Sequence, residues 1–550
     1  MKVSRLFNIA FRCVAHPRTL LQAFRVLRDR RIVEQSEFFD REWYAFQCNL
    51  TEDYDPATAY IVDDWGGQNP SRNFIGAEYT EIHGINPLLI SPLAHYERYG
   101  KKHGYVISYR DLAANGGKRT GCTSHANFSI ETLESDRQRK LKEIQSRIRA
   151  RGCIKVKFFV FNASIFQSRP VFEAMVADEL FDPEIVVIPD FSDRTKTESA
   201  METCYADLSA TFGNMRVTKA SKAKDGKWMD YLDDADFVFY STPYTLSDMR
   251  YNPGWDLNKS VLSLYANYSY NVTQYGIGYY RHEVFANFWR VLLESESALQ
   301  EFSRLSASHG SNASVTGYFK MDDLALHTSD NYAKKRKRVI IAPHHSFKGG
   351  FNDSLAISNF LEYSELFAAL PGMYPDIDFV FRPHPYLRAA LENAAQWGKK
   401  RTDAYFQKMS SWKNASISTG EYMGEFAKSD GLIQDCGSFL AEYFYTGKPQ
   451  CYMLKPNDDP KRAFTPFGQE CIKYCYKAYK ESDIIKFIED VIIGGNDPMK
   501  PERDAFANTK VMVNHPRAAQ AALNMIKSET LQPAAAHFQN NVHLGDHIQS

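Results

Sequence analysis

Between residues 150 and 530 the hydrophobic positions fall into short apolar runs, separated by longer stretches with helical spacing. Residues 130–149 carry periodic Leu and Ile among Glu, Lys, Arg and Gln and predict a helix. The pattern then alternates. Strands are predicted at 155–161, 184–188 and 236–240, with a helix at 170–180 and a helical segment ending Leu232-Asp233-Asp234. A second series follows the charged stretch 334–338. It has strands at 339–343, 378–382, 431–433 and 450–454, helices at 352–370, 421–428 and 439–445, and a long terminal helix at 503–526. Strand and helix in alternation imply parallel sheets covered on both faces. Two such series in succession predict the GT-B plan: an α/β chain of two doubly wound Rossmann-like domains facing across a cleft.

Ahead of these series lies a different pattern. Residues 36–110 repeat with a period near 36 residues. The first copy reads Phe39-Asp40-Arg41-Glu42-Trp43-Tyr44, then Asp55-Pro56-Ala57-Thr58-Ala59-Tyr60, then Trp65-Gly66. The second reads Phe74-Ile75-Gly76-Ala77-Glu78-Tyr79, then Ser91-Pro92-Leu93-Ala94-His95-Tyr96, then Tyr99-Gly100. Asp-Pro or Ser-Pro starts a short helix, because a capping side chain precedes a proline already set for the first turn. His95 is expected either to contact a ligand or to serve structurally, capping or bridging between helices. The segment resembles a short repeat found beside transferase domains in bacterial capsule and polysaccharide biosynthesis proteins.

The boundaries expected from these changes of pattern are a basic amphipathic helix at 1–33, the repeat module at 34–112, and a linker and helix at 113–150. A first Rossmann-like domain at 151–328 and a second at 333–500 follow. A crossover helix at 501–527 and a polar tail at 528–550 complete the chain. In the first thirty residues, Arg and Lys interleave with Leu, Ile, Val and Phe. Such a helix lies either on an anionic membrane surface, here the inner leaflet, or against the protein's own fold.

Composition narrows the function classes. With 550 residues, 44% hydrophobic and 24% charged, the chain needs several cores. Lys plus Arg equals Asp plus Glu at 66 each, so the concentrated positive field of a nucleic-acid binder is not expected. Nine scattered cysteines predict reduced thiols and a cytoplasmic location.

Ligands of open parallel sheets collect beyond the carboxyl ends of the strands. In the second series four loops sit there: Pro343-His344-His345-Ser346-Phe347-Lys348-Gly349-Gly350, Arg382-Pro383-His384-Pro385, Thr419-Gly420-Glu421 and Gln434-Asp435-Cys436-Gly437-Ser438. Gly437 admits a close backbone approach. Ser438 either holds phosphate oxygens with the free amides of the helix start or merely caps that helix. Arg382 offers a planar bidentate contact to phosphate. His384, stiffened between two prolines, can donate to a phosphate or leaving-group oxygen. Of His344 and His345, one is expected to face the cleft and the other the surface. The spacing of these histidines predicts no metal site, and no cofactor is expected.

The second half resembles the CDP-glycerol glycerophosphotransferases of teichoic-acid and capsule synthesis, over about residues 150–500. Thr316-Gly317-Tyr318-Phe319-Lys320-Met321-Asp322 is similar to that family's interdomain sequence, and Arg382-Pro383-His384-Pro385 to its His-Pro motif. Residues Ser429 to Ser438, followed by Glu442 and Gly447-Lys448-Pro449, resemble its donor-binding block, with Cys436 and Gly437 in place of a tyrosine and a serine. The resemblance implies that His384, Asp435, Gly437 and Ser438 hold a CDP-linked or other nucleotide-activated donor, with Glu442 in the same block. It further implies a growing glycan or lipid-linked acceptor. Tyr275 stands where the family carries its candidate catalytic histidine, and His282 is close by. Either another group, such as Asp190 or Glu283, deprotonates the acceptor, or the reaction differs from glycerophosphate transfer. A nucleotide-sugar glycosyltransferase and a non-catalytic glycan-binding subunit are the alternative expectations.

Overall fold

A computed structural model describes residues 28–531, except for 49, 51–54, 63–68, 72, 86–89, 116–117, 122–129, 193–194, 245, 329–335, 348–354 and 456–459. Most of the basic N-terminal segment, Trp65-Gly66, Lys348-Gly349-Gly350 and most of the polar tail lie outside the described residues.

Two separate sheets, all parallel, form the body. The first contains β1 (Ile154–Val160), β2 (Phe181–Val187), β3 (Val217–Lys219), β4 (Phe237–Tyr240), β5 (Leu262–Ala266), β6 (Arg290–Leu293) and β7 (Ala313–Val315), in the order β3-β2-β1-β4-β5-β6-β7. The second contains β8 (Lys337–Ala342), β9 (Ile377–Phe381), β10 (Ala415–Ile417), β11 (Gly431–Gln434), β12 (Gln450–Met453) and β13 (Tyr476–Ala478), in the order β10-β9-β8-β11-β12-β13. Each is doubly wound, with the strand order reversing beside β1 and beside β8. The chain thus has the two-Rossmann, GT-B arrangement. The central strands are apolar on both faces, as helices on both sides require; β4, β5 and β12 are buried throughout.

The apolar runs forecast most central strands. The short strands β3, β5, β6, β7, β10 and β13, of three to five residues, were not expected; runs that brief carry little periodicity. No helix ends at Leu232-Asp233-Asp234. The helix of that stretch is Thr197–Phe212, and the chain returns to β4 as turns. Helix Phe360–Met373 starts later than expected, since residues 355–359 are not helical. The terminal helix is not continuous either. It breaks after residue 511 and resumes as Ala518–Leu531, because Pro516 can neither donate to nor fit within a helix interior.

That last helix packs on the first sheet, not the second. Ala518, Ala522, Leu523 and Ile526 join the first core, and Arg290 pairs with Glu529 at 2.6 Å. The repeat module forms its own core around Tyr44, Tyr60, Phe74, Tyr79 and Tyr96. Asp55 accepts from the Thr58 amide at 3.0 Å and Ser91 from the Ala94 amide at 3.4 Å, so both copies open on a side-chain cap. His95 Nδ1 meets Tyr79 Oη at 2.9 Å. Residues 28–34 form a helical turn whose Asp29 is buried and pairs with Arg98 at 3.0 Å. No helix among the described residues is long and apolar enough to cross a membrane.

Candidate functional site

Parallel register brings the donor-side loops together. Gln434 at the end of β11 pairs with Ala342 at the end of β8, and Ile341 of β8 pairs with Phe381 of β9. The residues that follow must therefore emerge side by side. The Arg382 amide donates to Ile341 O at 2.8 Å and the His384 amide to Pro343 O at 3.0 Å, which locks the β9 loop onto the β8 loop. Asp435 ties in the third loop. It is fully buried, and its carboxylate accepts from the His344 amide at 2.6 Å and from the Asn359 amide. Burial pushes its pKa up to about 6, against the hydrogen bonds that favour the charged form. Asp435 thus lies beneath the loops as their clamp, with both oxygens engaged, and does not line the cleft.

The histidines stand on this frame. Ring centroids are 4.3 Å apart for His344 and His345, 4.9 Å for His344 and His384, and 4.1 Å for His345 and His384. Both His344 and His345 are buried against the cleft, so neither is the surface residue the sequence suggests. Burial keeps all three neutral: His345 is pushed down to about 4, His384 to about 3, and His344 well below the usual imidazole range.

One nitrogen from each ring lies within 4.8 Å of the others, a cluster able to hold a metal ion, which sequence spacing did not suggest because the third ring comes from another strand. Hydrogen bonding favours a different use. The Ser346 amide donates to His344 Nδ1 and the Tyr386 amide to His384 Nδ1, both at 3.2 Å. A backbone amide can only donate, so in each neutral ring the proton sits on Nε2. His344 and His384 are therefore preset as N–H donors, which suits an anion better than a metal.

Gly437 and Ser438 complete this wall. The Ser438 hydroxyl makes no capping bond to the helix Phe439–Glu442 that it precedes. Arg382 is spent locally. Its guanidinium donates to Ser418 Oγ at 2.8 Å and to Gly420 O, and lies 5.0 Å from the Tyr422 ring. It braces the β10 loop. Glu442 is similarly occupied: buried, it accepts from Tyr318 Oη at 3.0 Å and from Tyr422 Oη. It ties the interdomain segment Thr316–Asp322 to the second half.

These groups line one cleft of about 690 Å³ between the two sheets. His344, His345, Arg382, His384, Gly437 and Ser438 face it from the second half, and Glu442 reaches its edge. The opposite wall comes from the ends of β4 and β5 and from the helix Gln274–Gly278, capped by Thr273 Oγ1, which accepts from the Gly276 amide at 3.0 Å. Tyr275 projects into the cleft, half exposed, and its hydroxyl accepts from Tyr279 Oη at 3.0 Å. His282 packs behind Tyr279 and does not line the cleft; burial lowers its pKa to about 4. Asp190 and Glu283 lie outside it too.

A carboxylate that sequence reasoning missed, Glu294 at the end of β6, is buried behind the β5 loop. It accepts from Asn267 Nδ2 at 2.8 Å and from the Asn271 amide at 3.2 Å. Its signal was a lone Glu after an apolar run. The two halves are stitched below the cleft by the Thr465 amide donating to Val272 O at 2.9 Å and by Tyr270 stacking on Phe467 at 5.6 Å.

No protein-family model and no curated protein matches the sequence. Among solved structures, the wall teichoic acid polymerase TagF aligns with 12% identity and a TM-score of 0.44, covering 74% of this chain and 99% of that one. MnaA of S. aureus, solved with UDP, aligns with 12% identity and a TM-score of 0.42, covering 68% and 96%. A UDP-GlcNAc 2-epimerase from Neisseria meningitidis, bound to UDP-GlcNAc, aligns with 12% identity and a TM-score of 0.38, covering 68% and 100%. Likeness at this level bears on neither substrate nor reaction.

Proposed function

We propose that the chain is a transferase of bacterial surface-polymer synthesis. The second half, residues 333–500, grips a CDP-linked or other nucleotide-activated donor, and the first, residues 151–328, presents a glycan or lipid-linked acceptor. The observation that carries this reading is the wall of neutral imidazoles beside Gly437 and the uncapped Ser438, at the carboxyl ends of β8, β9 and β11.

In the reaction, an acceptor hydroxyl oxygen forms the new bond to the transferred glycerophosphate-type or glycosyl unit. The bond from that unit to the donor's phosphate oxygen breaks, and the acceptor proton passes to an oxygen of the departing phosphate. Negative charge gathers on the leaving phosphate, where the Nε2–H groups of His344 and His384 and the Ser438 hydroxyl offer fixed donors. His384 is the group assigned to the leaving oxygen. Such donors need no reorganisation and no metal partner for this role.

The acceptor wall carries Tyr275 and no imidazole or carboxylate among the described residues, so neither glycosyl nor glycerophosphate transfer draws a strong base from it. A tyrosine is a poor base near neutral pH. A thermal-shift panel of CDP-, UDP-, GDP- and CMP-linked donors tests the donor assignment, since a bound ligand raises the melting temperature. Absence of a shift with every nucleotide sinks it. Mass spectrometry of the product then separates the two transfers.

A further inference from the structure

The two walls of the cleft differ in chemistry. The donor wall carries the histidines and Arg382. On the facing wall, from Ser164 to Phe285, no lysine, arginine, histidine or acid lines the cleft among the described residues, and tyrosine is the commonest residue. Lys320, the other cation at the cleft, is held 4.3 Å from the Tyr422 ring on the second half.

The tyrosines are arranged for contact. Tyr268 is 44% and Tyr275 is 47% exposed, although both belong to a well-packed domain. Tyr279 stands behind Tyr275, edge-on to it at 5.7 Å and to Tyr244 at 5.4 Å. The Tyr279 hydroxyl donates to the Tyr275 hydroxyl at 3.0 Å. Tyr275 is thus held from behind, and both exposed rings offer a flat apolar face with polar hydroxyls at the rim.

A polyol-phosphate chain carries a negative charge on every unit. The hydroxyls and amides of this wall can donate to single phosphate oxygens, but no cation on it offsets a charge repeated on every unit. A neutral pyranose matches instead. One face of the ring presents C–H groups that lie on an aromatic ring, and its edge presents hydroxyls to the tyrosine rim.

We propose that this wall seats an uncharged pyranose at the growing end of the acceptor, stacked on Tyr268 and Tyr275, and not a polyol-phosphate chain. The proposal rests on the transferase reading, because it places the donor on the opposite wall.

The test is calorimetric titration of the full chain with maltotriose, cellotriose and chitotriose, and separately with an oligomer of glycerol phosphate, each with and without CDP. At least one neutral trisaccharide should bind. Tyr268→Ala and Tyr275→Ala should each weaken it about tenfold, while the phenylalanine variants stay within about threefold, since stacking survives loss of the hydroxyl. CDP affinity should be the same in all four variants. Melting curves check that the variants are folded, and both side chains are exposed enough to be replaced. Tighter binding of the glycerol phosphate oligomer, no binding of any neutral trisaccharide, or unchanged saccharide affinity in the alanine variants overturns the proposal. Failure of CDP, UDP, GDP and CMP alike to bind the wild-type chain sinks the transferase reading instead, and is read in a separate titration.

Discussion

The rings of His345 and His384 stand 4.1 Å apart with 35° between their planes, although they leave different strands of the sheet. Two like groups this close and this buried persist only if both stay neutral, and His384, a neutral ring with its proton on Nε2, serves as a donor. Replacing His384 or Ser438 by alanine should lower turnover by about 10²–10³-fold, the usual loss when a preset donor to developing charge is removed. The melting temperature should stay near that of wild type, because neither side chain is packed in a core. Full turnover in both variants would remove the donor-wall assignment.

The direction of the Ser346 and Tyr386 amides predicts which ion the histidine cluster prefers. Pyrophosphate should raise the melting temperature of the wild-type chain and not that of His384→Ala, by the linkage of ligand to the folded state. Zinc should raise it less. A zinc shift larger than the pyrophosphate shift, lost in His345→Ala, would show that the rings turn over to ligate metal.

Acid should expose the cost of these buried rings. The folded-state values of His345 and His384, about 4 and about 3, lie below the ordinary 6.5. The unfolded chain therefore binds protons first as pH falls, and stability drops between about pH 6.5 and 4. Asp435, raised to about 6, has the opposite sign, since the folded state takes up its proton first. Compared with wild type, the double variant His345→Gln/His384→Gln should lose less stability over this window, by up to about two protons, or about 1.4 kcal/mol per proton per pH unit. Urea unfolding at a series of pH values measures the difference, and identical slopes would contradict it.

Glu442 is predicted to act on stability through the two tyrosines it accepts from. Glu442→Ala leaves the Tyr318 and Tyr422 hydroxyls buried without their acceptor and should cost about 2–4 kcal/mol in urea unfolding. A loss below about 0.5 kcal/mol would show that the tie between the interdomain segment and the second half is dispensable.

Gly317 is held at φ +95°, and a Cβ there would lie 2.3 Å from the Val513 carbonyl oxygen. Gly317→Ala should destabilise by more than about 2 kcal/mol, because the backbone on both sides is fixed. Gly424, inside helix Met423–Lys428 with nothing within 4 Å of a Cβ, is the control. Its alanine variant should be stabilised by up to about 1 kcal/mol. Equal effects at the two sites would contradict the steric account.

Much of this molecule is written in local pattern. Apolar runs such as Val339 to Ala342 fix buried parallel strands, Asp55-Pro56 and Ser91-Pro92 fix helix starts, and loops that follow strands fix where ligands collect. These features depend on a few neighbouring residues, so the sequence alone determines the two-sheet architecture and places His344, His345, His384, Gly437 and Ser438 at one edge of it. What each side chain does there depends on partners far away in the chain. Arg382, expected to hold phosphate, lines the cleft and also braces Gly420 and Ser418; Asp435 was expected in the cleft and clamps the loops from below; His282 is screened by Tyr279. Only the fold turned the imidazoles into preset donors, through amides two residues away and registers between strands about forty residues apart. Only the fold set a wall of uncharged tyrosines against them. Local periodicity decides which residues become strand ends, whereas parallel pairing and burial decide which strand ends meet and which of their polar groups are left to face a ligand.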